Sequence, residues 1–215
     1  MHKWIAGLLL GLAVLTGCGV SGRNPESEVT WEGTYRLQGA DNMEFTFASD
    51  STLTVCQSGV YELVSQGGRP VVRICLDDTA RELPEDYSYT DYLVEEQDEE
   101  LLLTYTSEEF DLDQSPMTLV PLKGKNGLTG RKFFEGSYQI GDSGDSYQYM
   151  FHKDGTMAMQ IKETYFADGE QITLADHTGK TAYRYEDTDQ TLILSDQQGK
   201  PILVLEKPSV AEQQE

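Results

Sequence analysis

The chain is 215 residues long and carries 37 Asp and Glu against 16 Lys and Arg, a formal charge of −21. A surface this anionic repels nucleic acid and acidic headgroups, which excludes nucleic-acid binding. The chain has three histidines, one of them His2, and so many carboxylates that no pair stands out. Neither a Ser–His–Asp set nor an acid–base pair can be assembled from these, so the chain is read as no enzyme.

The chain opens MHKWIAGLLLGLAVLTGC. His2 and Lys3 give a short basic start, and Ile5 to Leu15 is an apolar run of eleven residues. A bilayer core needs ~20 helical residues, so the run is read as a secretory signal rather than a spanning helix. Leu15-Thr16-Gly17-Cys18 resembles the lipobox of bacterial lipoproteins. The resemblance implies that Cys18 is the first mature residue and that its sulfur receives a diacylglycerol. The protein would then be extracytoplasmic and lipid-anchored to the cell membrane, with the membrane as a partner through Cys18. Two acyl chains hold a protein firmly where one would not. The alternative is an ordinary signal peptide that contains a cysteine. Residues 19–30 follow as a polar tether, of which Gly19 to Glu28 can span at most about 36 Å.

Beyond the tether no long stretch shows a 3.6-residue apolar period. Short alternating runs separated by Gly, Asp, Asn and Pro dominate, which is the pattern of an all-β chain. Strands are expected at 33–37, 43–47, 52–56, 60–64, 71–76, 91–95, 101–105 and 117–122. A second set is expected at 136–140, 147–152, 156–162, 171–174, 181–185, 191–195 and 202–206.

The two sets are related. WEGTY at Trp31 returns as FEGSY at Phe134, a shift of 103, and FTFASDSTLTV at Phe45 returns as YMFHKDGTMAM at Tyr149, a shift of 104. Tyr61 matches Tyr165 at the same shift. YLVEEQDEELLL matches YRYEDTDQTLIL at a shift of 91, and PMTLV matches PILVL at 85. The order is kept, so residues 31–122 and 133–207 are read as two β repeats. A Gly-rich basic linker, 123–132, joins them, and a flexible tail, 208–215, ends the chain. The linker carries Lys123, Lys125, Arg131 and Lys132; it is either plainly solvated or docked on an acidic face or the membrane.

This comparison decides how FHKDGTMAM is read. His152 and Lys153 have no counterpart in the first repeat, which holds Ala48 and Ser49 there, whereas Asp154 and Thr156 match Asp50 and Thr52. Asp-Gly between alternating apolar runs is a hairpin signal, because glycine accepts positive φ. The stretch is a turn.

W-x-G-x-Y at the head of the domain, the F-x-F…D-G-T hairpin and the late Y-x-Y…L-x-L strands resemble the lipocalin-like domains of secreted bacterial lipoproteins. The resemblance implies two tandem antiparallel meanders, each a small lipocalin-like barrel or strongly curved sheet. It further implies capture of a small or apolar ligand without catalysis. A protein-interaction module, either an inhibitor or an accessory subunit of a cell-envelope complex, is the alternative. No cofactor is expected.

The falling shift places two insertions in the first repeat. One lies near residues 77–90 and carries Glu82, Glu85, Asp86, Tyr87 and Tyr89; the other lies near 106–115. Loops added to a rigid scaffold are where binding tends to reside. The first loop suits a basic protein patch or a sugar face, or is merely acidic decoration. EEQDEE reads as a solvated hairpin tip, and GDSGDS looks like a calcium or phosphate loop but equally like a plain β-turn. Cys56 and Cys75 are expected to form a structural disulfide outside the cytoplasm, two buried thiols being the alternative. Two thiols without a nearby His fall short of a zinc site, so no metal is expected.

Overall fold

The computed structural model describes residues 31–76, 89–97, 100–106, 116–122, 135–141, 143, 146–176 and 179–207. Their regular structure is entirely β. The strands are β1 (Gly33–Leu37), β2 (Ala40–Phe47), β3 (Thr52–Gln66), β4 (Arg69–Cys75), β5 (Thr90–Gln97), β6 (Glu100–Tyr105) and β7 (Met117–Pro121). They continue as β8 (Gly136–Ile140), β9 (Tyr147–Phe151), β10 (Thr156–Ala167), β11 (Gln171–Ala175), β12 (Lys180–Asp187), β13 (Thr191–Ser195) and β14 (Pro201–Glu206).

Alternation drives these elements. Ile172 with Leu174 on β11, and Leu192 with Leu194 on β13, are buried while their neighbours are not. Turns close them: the Asp154 carboxylate accepts the Thr156 N–H at 3.0 Å, and Gly155 sits at φ 87°. Each strand pairs with the next in sequence and β1 pairs with β14, so no described strand is left as an unpaired edge. The expected antiparallel meander is observed.

Two features depart from the sequence reading. First, the runs expected at 52–56 and 60–64 are one 15-residue strand, β3, and the run expected at 156–162 continues to Ala167 as β10. Gln57-Ser58-Gly59 reads as a break, yet Gly59 serves a close backbone approach within a continuous strand. A Cβ there would lie 2.4 Å from the Cys75 carbonyl oxygen.

Second, the compact units do not follow the linker between the repeats. Of the described residues, unit 1 takes 31–39, Phe45–Thr54 and 162–207; unit 2 takes Ala40–Glu44 and Val55–Ile161. β2, β3 and β10 therefore supply residues to both. Within unit 1 the pairing runs β1, β2, β3, β10, β11, β12, β13, β14 and back to β1, eight strands in all. Within unit 2 it runs from β3 to β10 in chain order and returns from β10 to β3, again eight strands.

The same geometry occurs in each unit at the 104-residue offset. In unit 2 the Tyr61 N–H donates to the Gly155 carbonyl at 2.8 Å and the Tyr61 hydroxyl to the His152 carbonyl at 2.8 Å. In unit 1 the Tyr165 N–H donates to the Ser51 carbonyl at 2.9 Å and the Tyr165 hydroxyl to the Ala48 carbonyl at 3.2 Å. Tyr61 meets Phe151 edge-on at 4.9 Å, and Tyr165 meets Phe47 edge-on at 5.2 Å. Such ring pairs contribute about 1 kcal/mol each beyond the area they bury. The tyrosine of one sequence repeat thus ties down the hairpin of the other repeat.

The core of unit 2 is a cluster of Tyr61, Val72, Ile74, Val94, Leu101, Leu103, Leu119, Tyr138, Tyr149, Phe151 and Met157. In unit 1 Trp31 takes the centre of an aromatic group, 5.7 Å from Phe47 and 4.9 Å from Tyr185. Its indole N–H donates to Asp187 at 3.0 Å, and Lys207 holds the same carboxylate at 2.6 Å.

Candidate functional site

Of the candidate residues read from the sequence, Cys18, Glu82, Glu85, Asp86 and Tyr87 lie outside the described residues, as do the tether, the linker and the tail. Tyr89 is described and is exposed. The Arg73 guanidinium lies 3.8 Å from its ring centroid. Arg73 is fixed in turn by Asp91, at 2.9 and 3.1 Å, and approaches Glu62 at 3.6 Å. The hydrogen bond to Asp91 is the main cause of a guanidinium pKa above its ordinary value. The result is an aromatic side chain held in place at the end of the expected loop.

Cys56 and Cys75 carry no disulfide. The expectation fails on register, because Val60 and not Cys56 faces Cys75 across β3 and β4. Four residues of strand amount to about 13 Å, whereas a bridge needs Cα atoms roughly 4.4–6.8 Å apart. Burial, then the Glu44 charge, pushes the Cys56 thiol pKa up, which favours an unreactive thiol.

The opening of FHKDGTMAM is a turn, as the sequence suggests. The His152 N–H donates to the Thr156 carbonyl, and the Gly155 N–H returns to the His152 carbonyl. The His152 and Lys153 side chains are exposed, and Lys153 pairs with Glu135 at 2.9 Å.

The chemistry that stands out lies elsewhere, on the inner face of unit 1. Along β10, Tyr165 and Ala167 are buried, while Thr164 before them and Phe166 between them are exposed. Alternation puts Glu163 on the inward side with Tyr165. On β12 the inward series is Thr181, Tyr183 and Tyr185, with Ala182, Arg184 and Glu186 exposed. β11 joins the two: Tyr165 faces Leu174, Leu174 faces Thr181, and Ile172 faces Tyr183. Since Thr164 pairs with Ala175, Glu163 is level with Asp176 just past the end of β11. Asp176 is held in the following turn, its carboxylate accepting the Gly179 N–H at 3.0 Å.

Two properties mark this patch, the first of them shared with the Gln57 Oε1 oxygen of unit 2. The Tyr183 hydroxyl is buried, on a side chain 5% exposed, and has no hydrogen-bond partner. A buried hydroxyl left unpaired costs about 1–3 kcal/mol. Burial, with the Asp176 charge second, pushes the Glu163 carboxyl up to about 7. Burial and then Glu163 push the Tyr183 phenol up to about 12. At neutral pH this inner face holds a carboxyl poised between its two states and, four strand positions along, a phenol that stays protonated.

The sequence contained one signal for this. Met157, Met159, Ile161, Glu163 and Tyr165 form a single alternating series, and Glu163 is its one charged member. Ending the strand at Lys162 hides it. Among the described residues no group of three or more His, Cys, Asp or Glu is placed to hold a metal ion. The chain has no significant match among protein-family models, curated proteins or solved structures.

Proposed function

We propose that the protein is a lipid-anchored, extracytoplasmic binding module of the lipocalin-like kind, which captures a small ligand in the interior of unit 1 without catalysis. The observation that carries this reading is the unpaired Tyr183 hydroxyl facing the same interior as Glu163. Ligand sites are mostly apolar with a few convergent polar groups, and this patch has that composition. Eight paired strands give an interior just wide enough for side chains or one small ligand. The raised phenol pKa keeps Tyr183 a hydrogen-bonding group rather than a base. The lipobox at Leu15 to Cys18 supports the anchor.

Comparing native and denatured mass spectra of the protein tests the binding reading. Extra mass present in the native spectrum alone is the expected result; a bare polypeptide mass speaks against it. Metabolic labelling with palmitate tests the anchor, and the label is expected to vanish in Cys18→Ser.

A second reading has its own observation. The core of unit 2 is filled by side chains such as Tyr61, Tyr138, Phe151 and Met157, and Tyr89 stands exposed on a fixed Arg73. A filled core beside a presented aromatic suits a protein-interaction module that works through residues 77–90. Crosslinking from a photoreactive residue at Tyr89 in envelope preparations tests it, with capture of one defined partner as the expected outcome.

A further inference from the structure

We infer that unit 2 holds a ligand site of its own, at the end of its interior where β4, β6 and β8 finish and β5, β7 and β9 begin. Its ligand is an uncharged, flat apolar molecule that carries a hydrogen-bond acceptor. The inference goes beyond the reading of unit 1 and does not depend on it.

The interior of unit 2 is graded. Toward the other end Leu101, Phe151 and Met157 are at most 2% exposed. Of the partly exposed apolar side chains packed against this core, Leu76, Tyr92, Met117, Ile140 and Met159 lie toward the first end and Leu63 does not. The core is therefore closed at one end and accessible at the other. Tyr92 faces Tyr105 across β5 and β6, with the rings 5.8 Å apart. Tyr149 faces Met159 across β9 and β10. β9 is four strands round from β5, so Tyr149 stands on the opposite wall, near enough for the Tyr92 phenol to act on it electrostatically. An eight-stranded interior has room for side chains or one small ligand. The two insertions read from the sequence connect β4 to β5 and β6 to β7, both at this end. Added connections beside an accessible interior are where binding tends to reside.

The side chains define the ligand. Met117 and Met159 are soft and adaptable and favour contact with an aromatic ring, as do the tyrosine rings. Among the described residues the hydroxyls of Tyr92, Tyr105 and Tyr149 make no hydrogen bond. Burial is the main cause that pushes the Tyr92 and Tyr149 phenols up, so both stay protonated and offer donors. Gln57 marks an unmet acceptor at the same end: its amide N–H donates to the Leu76 carbonyl at 3.0 Å, while its Oε1 is buried without a partner. Glu62, Arg73 and Asp91 alternate to the outer face of the sheet. An ion entering here would lose water and meet no opposite charge, which is costly.

Equilibrium dialysis of the full chain at neutral pH tests the inference with 2-acetylnaphthalene, 2-ethylnaphthalene and 2-naphthoate, which share one ring system. The ketone is expected to bind about fivefold more tightly than the hydrocarbon and at least about tenfold more tightly than the anion. Met117→Trp is expected to abolish ketone binding while the protein still unfolds cooperatively. The triple variant Tyr92→Phe, Tyr105→Phe and Tyr149→Phe keeps the rings and is expected to erase the advantage of ketone over hydrocarbon; it decides the matter if Met117→Trp does not fold. A ketone advantage that survives in the triple variant places the ligand elsewhere and overturns the inference. Equal affinity for ketone and hydrocarbon, tightest binding by naphthoate, or no binding of any probe overturns it as well. Each of these leaves the reading of unit 1 standing, since no residue of its interior enters the argument.

Discussion

Unit 1 and unit 2 make the same hydrogen bonds at the same offset, yet at one pair of matched positions they do opposite things. At position 59 unit 2 has a glycine pressed beneath the Cys75 carbonyl, with space for nothing larger. At position 163, 104 residues on, unit 1 has an inward carboxyl. One scaffold thus carries a sealed strand crossing in one unit and an unpaired polar patch in the other. Where a glycine is pressed against a backbone carbonyl, the residue choice serves stability. Where a hydroxyl stays unpaired inside, it serves something else.

The largest expected effect breaks the sealed side. Gly59→Ala puts a Cβ 2.4 Å from a backbone oxygen and 2.8 Å from Leu76 Cδ2, and a backbone atom cannot swing aside. A loss of about 3 kcal/mol is expected, read by urea unfolding. A loss under about 1 kcal/mol would show that the crossing is not tight.

Next comes the open side, with a pH signature. The Glu163 carboxyl is raised from 4.5 to about 7 in the fold, so the folded state holds its proton more tightly than the unfolded chain does. That contribution is fully present below pH 4.5 and is lost as pH rises through 7. Glu163→Gln is therefore expected to stabilise the protein by about 2 kcal/mol at pH 8 and to change little at pH 4. A pH-independent difference would mean that the carboxyl is well solvated.

The tyrosines sharpen the contrast further. The single Tyr165 hydroxyl hydrogen is shared between two carbonyls, of Trp31 at 2.9 Å and Ala48 at 3.2 Å, and Tyr61 donates to the His152 carbonyl at 2.8 Å. Loss of the hydroxyl is expected to cost about 2 kcal/mol in Tyr165→Phe and about 1 kcal/mol in Tyr61→Phe. Tyr183→Phe removes an unpaired hydroxyl and is expected to gain about 1 kcal/mol. Thermal melts of the three variants give the order directly, and destabilisation by Tyr183→Phe would mean the hydroxyl is paired after all.

The smallest effect lies in the matched hairpins. Ser51 sits at φ 65° where the other hairpin has Gly155 at φ 87°. Relief of left-handed strain exceeds the entropy glycine adds to the unfolded chain, so Ser51→Gly is expected to gain about 0.5 kcal/mol. Chemical denaturation resolves a change of that size if both proteins are measured together.

Much of the fold was legible because alternation is a local property. Leu192 with Leu194 and Ile172 with Leu174 announce their buried faces within five residues, and Asp154-Gly155 announces its turn. The site was far less legible. Glu163 reads as one more carboxylate among 37 acidic residues until its strand is known to run on to Ala167. Tyr183 reads as a core tyrosine, and what distinguishes it is a partner that is missing. The Cys56–Cys75 bridge failed for a related reason, since register along β3 and β4 is settled by pairing and not by the spacing of cysteines.

By itself the sequence determined that the folded part is β, that its strands follow one another in an antiparallel meander, and that the FTFASDSTLTV stretch recurs 104 residues on. Each of these depends on residues a few positions apart. Tertiary structure alone decided which strands share a compact unit, because that depends on long β3 and β10 each pairing on both sides. It also decided that Gly59 is crowded and that Tyr183 is unpaired, since both are facts about neighbours on other strands.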